Sequence, residues 1–186
     1  EFKDSRFHMM IMKELPVRRK TYVLKRGLYS SPDFDREVEP GPPEKIFPFG
    51  PEYSRDRLGF AQWLTHPQHP LTSRVAVNRF WQMIFGTGIV STTNDFGSQG
   101  ALPTHPQLLD YLSRSFIDSG WDIRALIKKI VMSRTFRQSS NMSKELYEHD
   151  PDNKLLARGP SYYMTAEMLR DNALHKAELL NEKTGG

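Results

Sequence analysis

The stretch Arg57–Gly100, RLGFAQWLTHPQHPLTSRVAVNRFWQMIFGTGIVSTTNDFGSQG, decides the fold. Its first part places Leu58, Ala61 and Leu64 at i, i+3 and i+6, the spacing of a short helix over Arg57–Leu64 that Ser54 or Asp56 can cap. Thr65-His66-Pro67-Gln68-His69-Pro70 must break it. A proline keeps its predecessor out of the helical basin, so His66 and His69 are expected to be extended. Pro70 or Thr72 then opens the central helix. There Val77, Phe80, Trp81, Ile84 and Phe85 follow the i, i+3, i+4, i+7, i+8 rule and predict one apolar stripe facing a core. Gly86 and Gly88 end the stripe, because glycine accepts the left-handed conformation that closes helices. Ile89–Gly100 is polar and glycine-rich and reads as a loop.

Downstream the same period returns. Thr104 or His105 caps a helix with Pro106 near its first position, where a missing amide costs nothing. Leu108, Leu109, Leu112, Phe116 and Ile117 form its stripe, and Gly120 stops it. Asp122 caps another helix, with Ile123, Leu126, Ile127, Ile130 and Val131 expected inward and Arg124, Lys128 and Lys129 outward. Two such helices joined by Ser119–Asp122 predict a helical hairpin with Trp121 plugging its end. Arg134–Ser140 leaves that helix, 141–148 reads as a polar helical turn, and Asp150–Asn153 as a turn or a helix start. Thr165 caps a last helix, with Glu167 in its positive first turn and a thin stripe of Leu169, Ala173, Leu174 and Ala177.

Upstream, Phe7–Glu14 and Thr21–Arg26 are short apolar segments that could pair as a hairpin. Ser30–Pro51 carries six prolines and two glycines; it predicts an extended arm without regular structure, anchored by Ile46, Phe47 and Phe49. The expected fold class is therefore mainly α: an irregular helical domain with a helical hairpin, a Pro-rich extended N-terminal arm and one short β-hairpin. The expected division is an arm over residues 1–53 and a helical domain over 54–186.

The chain has 186 residues, enough to bury roughly 70% of its unfolded surface in one domain. Its apolar runs are too short for the ~20-residue span a bilayer requires, so no membrane span is expected. The net charge of +4 and sequence pI near 9.3 come from charges spread along the chain, with only Arg18-Arg19-Lys20 and Lys128-Lys129 as local runs. A nucleic-acid binder concentrates its charge on one face, so nucleic acid is not an expected partner. With no cysteine there are no disulfides, thiol nucleophiles, thiolate metal sites or C-x-x-C-H haem attachment.

Two short matches to catalytic motifs fail on context. His66 and His69 stand at i, i+3, which on a helix could present two imidazoles to a metal, but two prolines break the helix and no carboxylate is near in sequence. Asp95-Phe96-Gly97 matches a kinase tripeptide without the rest of that motif set; Asp95 is expected to accept backbone donors or an arginine. No nucleophile elbow, zinc helix, P-loop or dinucleotide fingerprint is present, and no catalytic residue or metal ligand is assigned.

The informative polar residues sit on the helices and loops: Asn78, Arg79, Gln82, Asp95, His105, Arg137, Gln138, Arg158, Glu167 and Arg170. One reading is an interior network in which arginines pair with carboxylates and carbonyls to stitch elements together. In it Arg79, Arg137, Arg158 and Arg170 are buried, and the loop Thr92–Gly100 satisfies Asn78, Arg79 and Gln82. The other is a cleft for an anionic or polyhydroxyl ligand, with Trp63, Trp81 or Tyr163 as stacking platforms. The network is the preferred reading.

The residues also carry a family resemblance. R-L-x-x-A-x-W-L from Arg57, then H-P-x-x-P-L-T-x-R-x-x-V-N-R-x-W-Q-x-x-F-G-x-G-I-V from His66, resembles the PSD domain, domain of unknown function 1553. The likeness continues through Asp95-Phe96-Gly97, His105-Pro106, Gly120-Trp121-Asp122, Thr135–Ser140, Asp150-Pro151, Leu155–Arg158, Ala166-Glu167 and Arg170-Asp171. Phe60, Gln62 and Phe80 depart from the pattern. The resemblance implies a planctomycete-type exported bacterial protein, periplasmic or on the cell surface, with haem carried by a separate cytochrome-like domain and no cofactor in this part. It also implies that the chain is a fragment lacking a proline-rich C-terminal tail and upstream domains. It supplies no catalytic residue. The functional expectation is a non-catalytic interaction or scaffolding domain whose partners are other domains of the parent protein. The alternative is a domain that binds or acts on anionic polysaccharide.

Overall fold

The computed structural model describes residues 10–43 and 45–181. The chain divides into two compact units, residues 1–70 and 71–186.

In the first unit, strand β1 (Thr21–Leu24) pairs antiparallel with β2 (Pro32–Val38), with Thr21 opposite Val38 and Leu24 opposite Pro32. A 3-10 turn, Lys25–Gly27, makes the reversal, with Arg26 and Gly27 both at positive φ. The chain is thus mainly α with a short β-hairpin, but the hairpin's second strand lies inside the segment expected to be irregular. The prolines there break less of the chain than their number suggests. Pro32 occupies the first position of an edge strand, where no ladder amide is needed, and the next proline is Pro40, beyond the last paired residue. Of the expected Phe7–Glu14 strand, residues 7–9 lie outside the described residues and 10–14 form no strand.

Helix α1 (Arg57–Leu64) starts where expected, capped by Asp56, whose carboxylate accepts the Gly59 amide at 2.8 Å. Gly59 is required there, since a Cβ would lie 1.9 Å from the Ser54 carbonyl oxygen. Trp63 is buried and donates its indole N–H to the Phe47 carbonyl. Phe47 and Phe49 flank the indole, so both act as anchors of the proline-rich segment; Ile46 is exposed and does not.

The second unit is helical. Helix α2 (Thr72–Phe85) packs against α3 (Pro106–Asp118) and α4 (Ile123–Val131), and α4 packs against α3 and the single-turn α5 (Arg134–Arg137). α6 (Lys144–His149) and α7 (Ala166–Lys176) follow. The core joins Val77 and Trp81 of α2, Ile89 and Val90 after it, Leu109, Leu112 and Phe116 of α3, and Leu126 and Ile130 of α4. Gly86 closes α2 at φ 84° and Gly120 closes α3 at φ 72°. Trp121 follows Gly120, also at positive φ, and sets its ring edge-on against Phe116, 5.2 Å between centroids. On α4, Ile123 and Ile127 are exposed, against expectation. They stand about 60° round the helix from the Leu126–Ile130 line that meets the core.

Candidate functional site

The ten polar candidates separate into residues that hold the fold and residues that face solvent. Asn78 is completely buried. Its amide nitrogen donates to the Val90 carbonyl at 2.9 Å and its oxygen accepts the Val90 amide at 2.8 Å. The side chain acts as a strand-like partner for one residue of the loop that leaves α2. Gly88 lies against it, where a Cβ would come within 2.6 Å of the Asn78 amide. The expectation that the loop Thr92–Gly100 satisfies Asn78 is therefore corrected: Val90, ahead of that loop, does so.

Arg158 is also buried. Its guanidinium donates to the Asp150 carbonyl at 2.9 Å and the Pro151 carbonyl at 2.6 Å. Asn153 bonds the Arg158 backbone in both directions, and the Asp150 carboxylate accepts the amides of Lys154 and Leu155. Gln138 donates to the Leu156 carbonyl at 2.8 Å, and Gly159 bonds Ser139 by its amide at a site where a Cβ would strike the Gln138 carbonyl. Residues 150–159 thus form a knot in which Arg158 is the central donor. The sequence reading missed Asp150 and Asn153 as its frame; the signal available was Asp-Pro-x-Asn, a run rich in residues that bond their own backbone.

Glu167 is held by capping. Hydrogen bonds from its own amide and from the Thr165 hydroxyl keep its carboxyl below the usual range. His105 stands just before α3, its Nδ1 3.0 Å from the Thr104 hydroxyl.

Arg79, Arg137 and Arg170 are exposed, which corrects the expectation of an interior arginine network. Among the described residues Arg170 pairs only with the neighbouring Asp171. Arg137 and Arg79 pair with no described residue. Of the four arginines, only Arg158 is buried, and its partners are carbonyls.

Arg79, Gln82 and Asp95 come together. Arg79, Gln82 and Met83 on α2 share one helical face and, with residues 91–95, line a cleft of about 550 Å³. The Asp95 carboxylate accepts the Gly97 amide at 2.8 Å, a backbone donor as the sequence suggested. The loop wall is braced. Thr92 donates to the Asp95 carbonyl and accepts the Ala101 amide, and a Cβ on Gly100 would lie 2.2 Å from the Asp95 carbonyl oxygen. Thr93, which the sequence did not single out, has its hydroxyl buried without a partner on this wall.

The expected stacking platforms are corrected too. Trp63 and Trp81 are 3% and 4% exposed and cannot offer a face to a ligand; Tyr163 is exposed. Among the described residues no group of three or more His, Asp or Glu is placed to hold a metal, and no helix is long and apolar enough to cross a membrane.

Residues 56–186 match the family model PSD1, protein of unknown function (DUF1553). No curated protein and no solved structure matches the chain.

Proposed function

The chain belongs to the PSD1 family, protein of unknown function (DUF1553), and from that premise we propose that it is a non-catalytic interaction domain of a larger exported protein, docking on that protein's other domains. The observation that carries this reading is α7. Its eleven residues include none that is buried, although it carries Met168 and Leu169 and follows Tyr163 and Met164, all exposed. A helix shorter than ~12–15 residues is marginal in water, and helices draw most of their stability from packing an apolar face. An exposed apolar run of this kind is what a contact with another domain would cover. The polar candidates support the same reading: Asn78, Gln138, Arg158 and Glu167 spend their hydrogen bonds on the fold.

Hydrogen exchange tests it. The amides of α7 should exchange rapidly in the isolated chain and at least about tenfold more slowly in the full-length parent protein. Met168→Asp with Leu169→Asp should leave the isolated chain's unfolding unchanged and remove that protection. Equal exchange of α7 in both proteins would overturn the proposal.

A further inference from the structure

The cleft beside Arg79 has the makings of a ligand site that the interaction reading does not use. Its one cation, Arg79, has no partner among the described residues, and neither have the side chains of Gln82 and Asn94. The walls are rigid: Asn78 pins Val90 at the loop's start, and Gly100 packs against Asp95 at its end. Rigidity of this kind lowers the ordering cost of binding. The volume of about 550 Å³ lies in the range of small-molecule sites.

The charges narrow the ligand. A guanidinium is a planar fork that matches a carboxylate with two parallel hydrogen bonds. Asp95 stands in the same cleft, so a dianion such as phosphate meets about twice the like-charge repulsion that a monoanion does. In the same lining, Asp95 can only accept and Gln82 and Asn94 can both donate and accept, which is the complement of neighbouring hydroxyl groups. We propose that this cleft binds a polyhydroxylated monocarboxylate, the chemistry of a sugar-acid residue, with Arg79 on the carboxylate and Asp95, Gln82 and Asn94 on hydroxyls. With no aromatic platform in the cleft, a single residue binds weakly, at about millimolar Kd.

Titration of ¹⁵N-labelled chain with D-glucuronate, D-glucose and acetate tests the assignment. Glucuronate should saturate and shift the amides of Gln82 and residues 91–95, with glucose and acetate each at least about fivefold weaker. Arg79→Gln should weaken glucuronate about tenfold, and Asp95→Asn, which removes both a hydroxyl acceptor and a like charge, should lower the preference for glucuronate over acetate. Both side chains are exposed, so the thermal midpoint of each variant serves as the control for folding. Acetate or inorganic phosphate binding as tightly as glucuronate would overturn the proposal, as would no saturable shift at about 50 mM or an Arg79→Gln variant that binds normally. These readouts lie on α2 and its loop and are separate from α7, so failure here and failure of the docking reading are distinguishable.

Discussion

Two adjacent residues of α2 show how far a single position can be read. Asn78 and Arg79 are both polar interruptions of an apolar helix, yet one is fully buried and the other exposed. Helical period explains part of this: Asn78 neighbours Val77 and Trp81 on the core side. It does not say that Val90, twelve residues on, presents its unpaired amide and carbonyl to that side chain. That pairing depends on where Gly86 and Gly88 turn the chain, which is a tertiary fact. Asn78→Ala leaves both Val90 groups buried and unsatisfied and should cost about 2–5 kcal/mol in urea unfolding. Arg79→Ala should stay within about 0.5 kcal/mol of the parent. Equal effects at the two positions would contradict the assignment of Asn78 as a clamp. Arg158 behaves like Asn78; nothing local to its sequence distinguishes it from exposed Arg137, because its acceptors are carbonyls of Asp150 and Pro151 that only the folded knot brings to it.

At the scale of elements, the helices were legible because period, caps and glycine stops agreed. α1 and α3 follow the expected stretches, and Asp56, Asp122 and Thr165 cap by accepting the amide three residues on. The Asp122 carboxylate accepts the Ala125 amide at 3.0 Å, so Asp122→Ala should destabilise the second unit by about 1 kcal/mol, read as a lower urea midpoint with unchanged slope. Asp122→Ser should recover most of that loss. The strand β2 was not legible, because prolines at its margins masked a seven-residue run that can pair. α7 was legible as a helix and not as an unburied one: its stripe of Leu169, Ala173, Leu174 and Ala177 predicts packing, yet only Leu174 is half-buried and the other three are exposed. Period specifies which face is apolar; what covers that face is outside the pattern.

At the scale of the whole molecule, the two units differ in how much apolar surface each removes from water. The second has a continuous cluster from Val77 to Ile130. The first has Trp63 as its one buried large apolar side chain among the described residues, surrounded by Phe47, Phe60 and His69. Low burial predicts low local stability, so amides of β1, β2 and α1 should exchange faster than those of α2 and α3 under native conditions. The composition of that aromatic cluster adds a pH dependence. His69 sits edge-on to Trp63 at 4.5 Å and near Phe47 at 5.8 Å, and its pKa is lowered from 6.5, first by burial and then by the charge of His66. The folded state therefore holds His69 neutral while the unfolded chain protonates it. Stability from this group is complete above 6.5 and falls as pH drops from 6.5 through the lower folded value. Glu14, Asp33 and Asp56 are shifted down by Arg57, by Arg36 and by the Gly59 amide respectively, and weaken the fold only at the lower pH where carboxylates titrate. Between about pH 7.5 and about pH 5 the exchange protection of α1 should thus decline while that of α2 and α3 holds, and His69→Phe should flatten the decline whatever it does to absolute stability. A slope that survives His69→Phe would place the titrating group elsewhere.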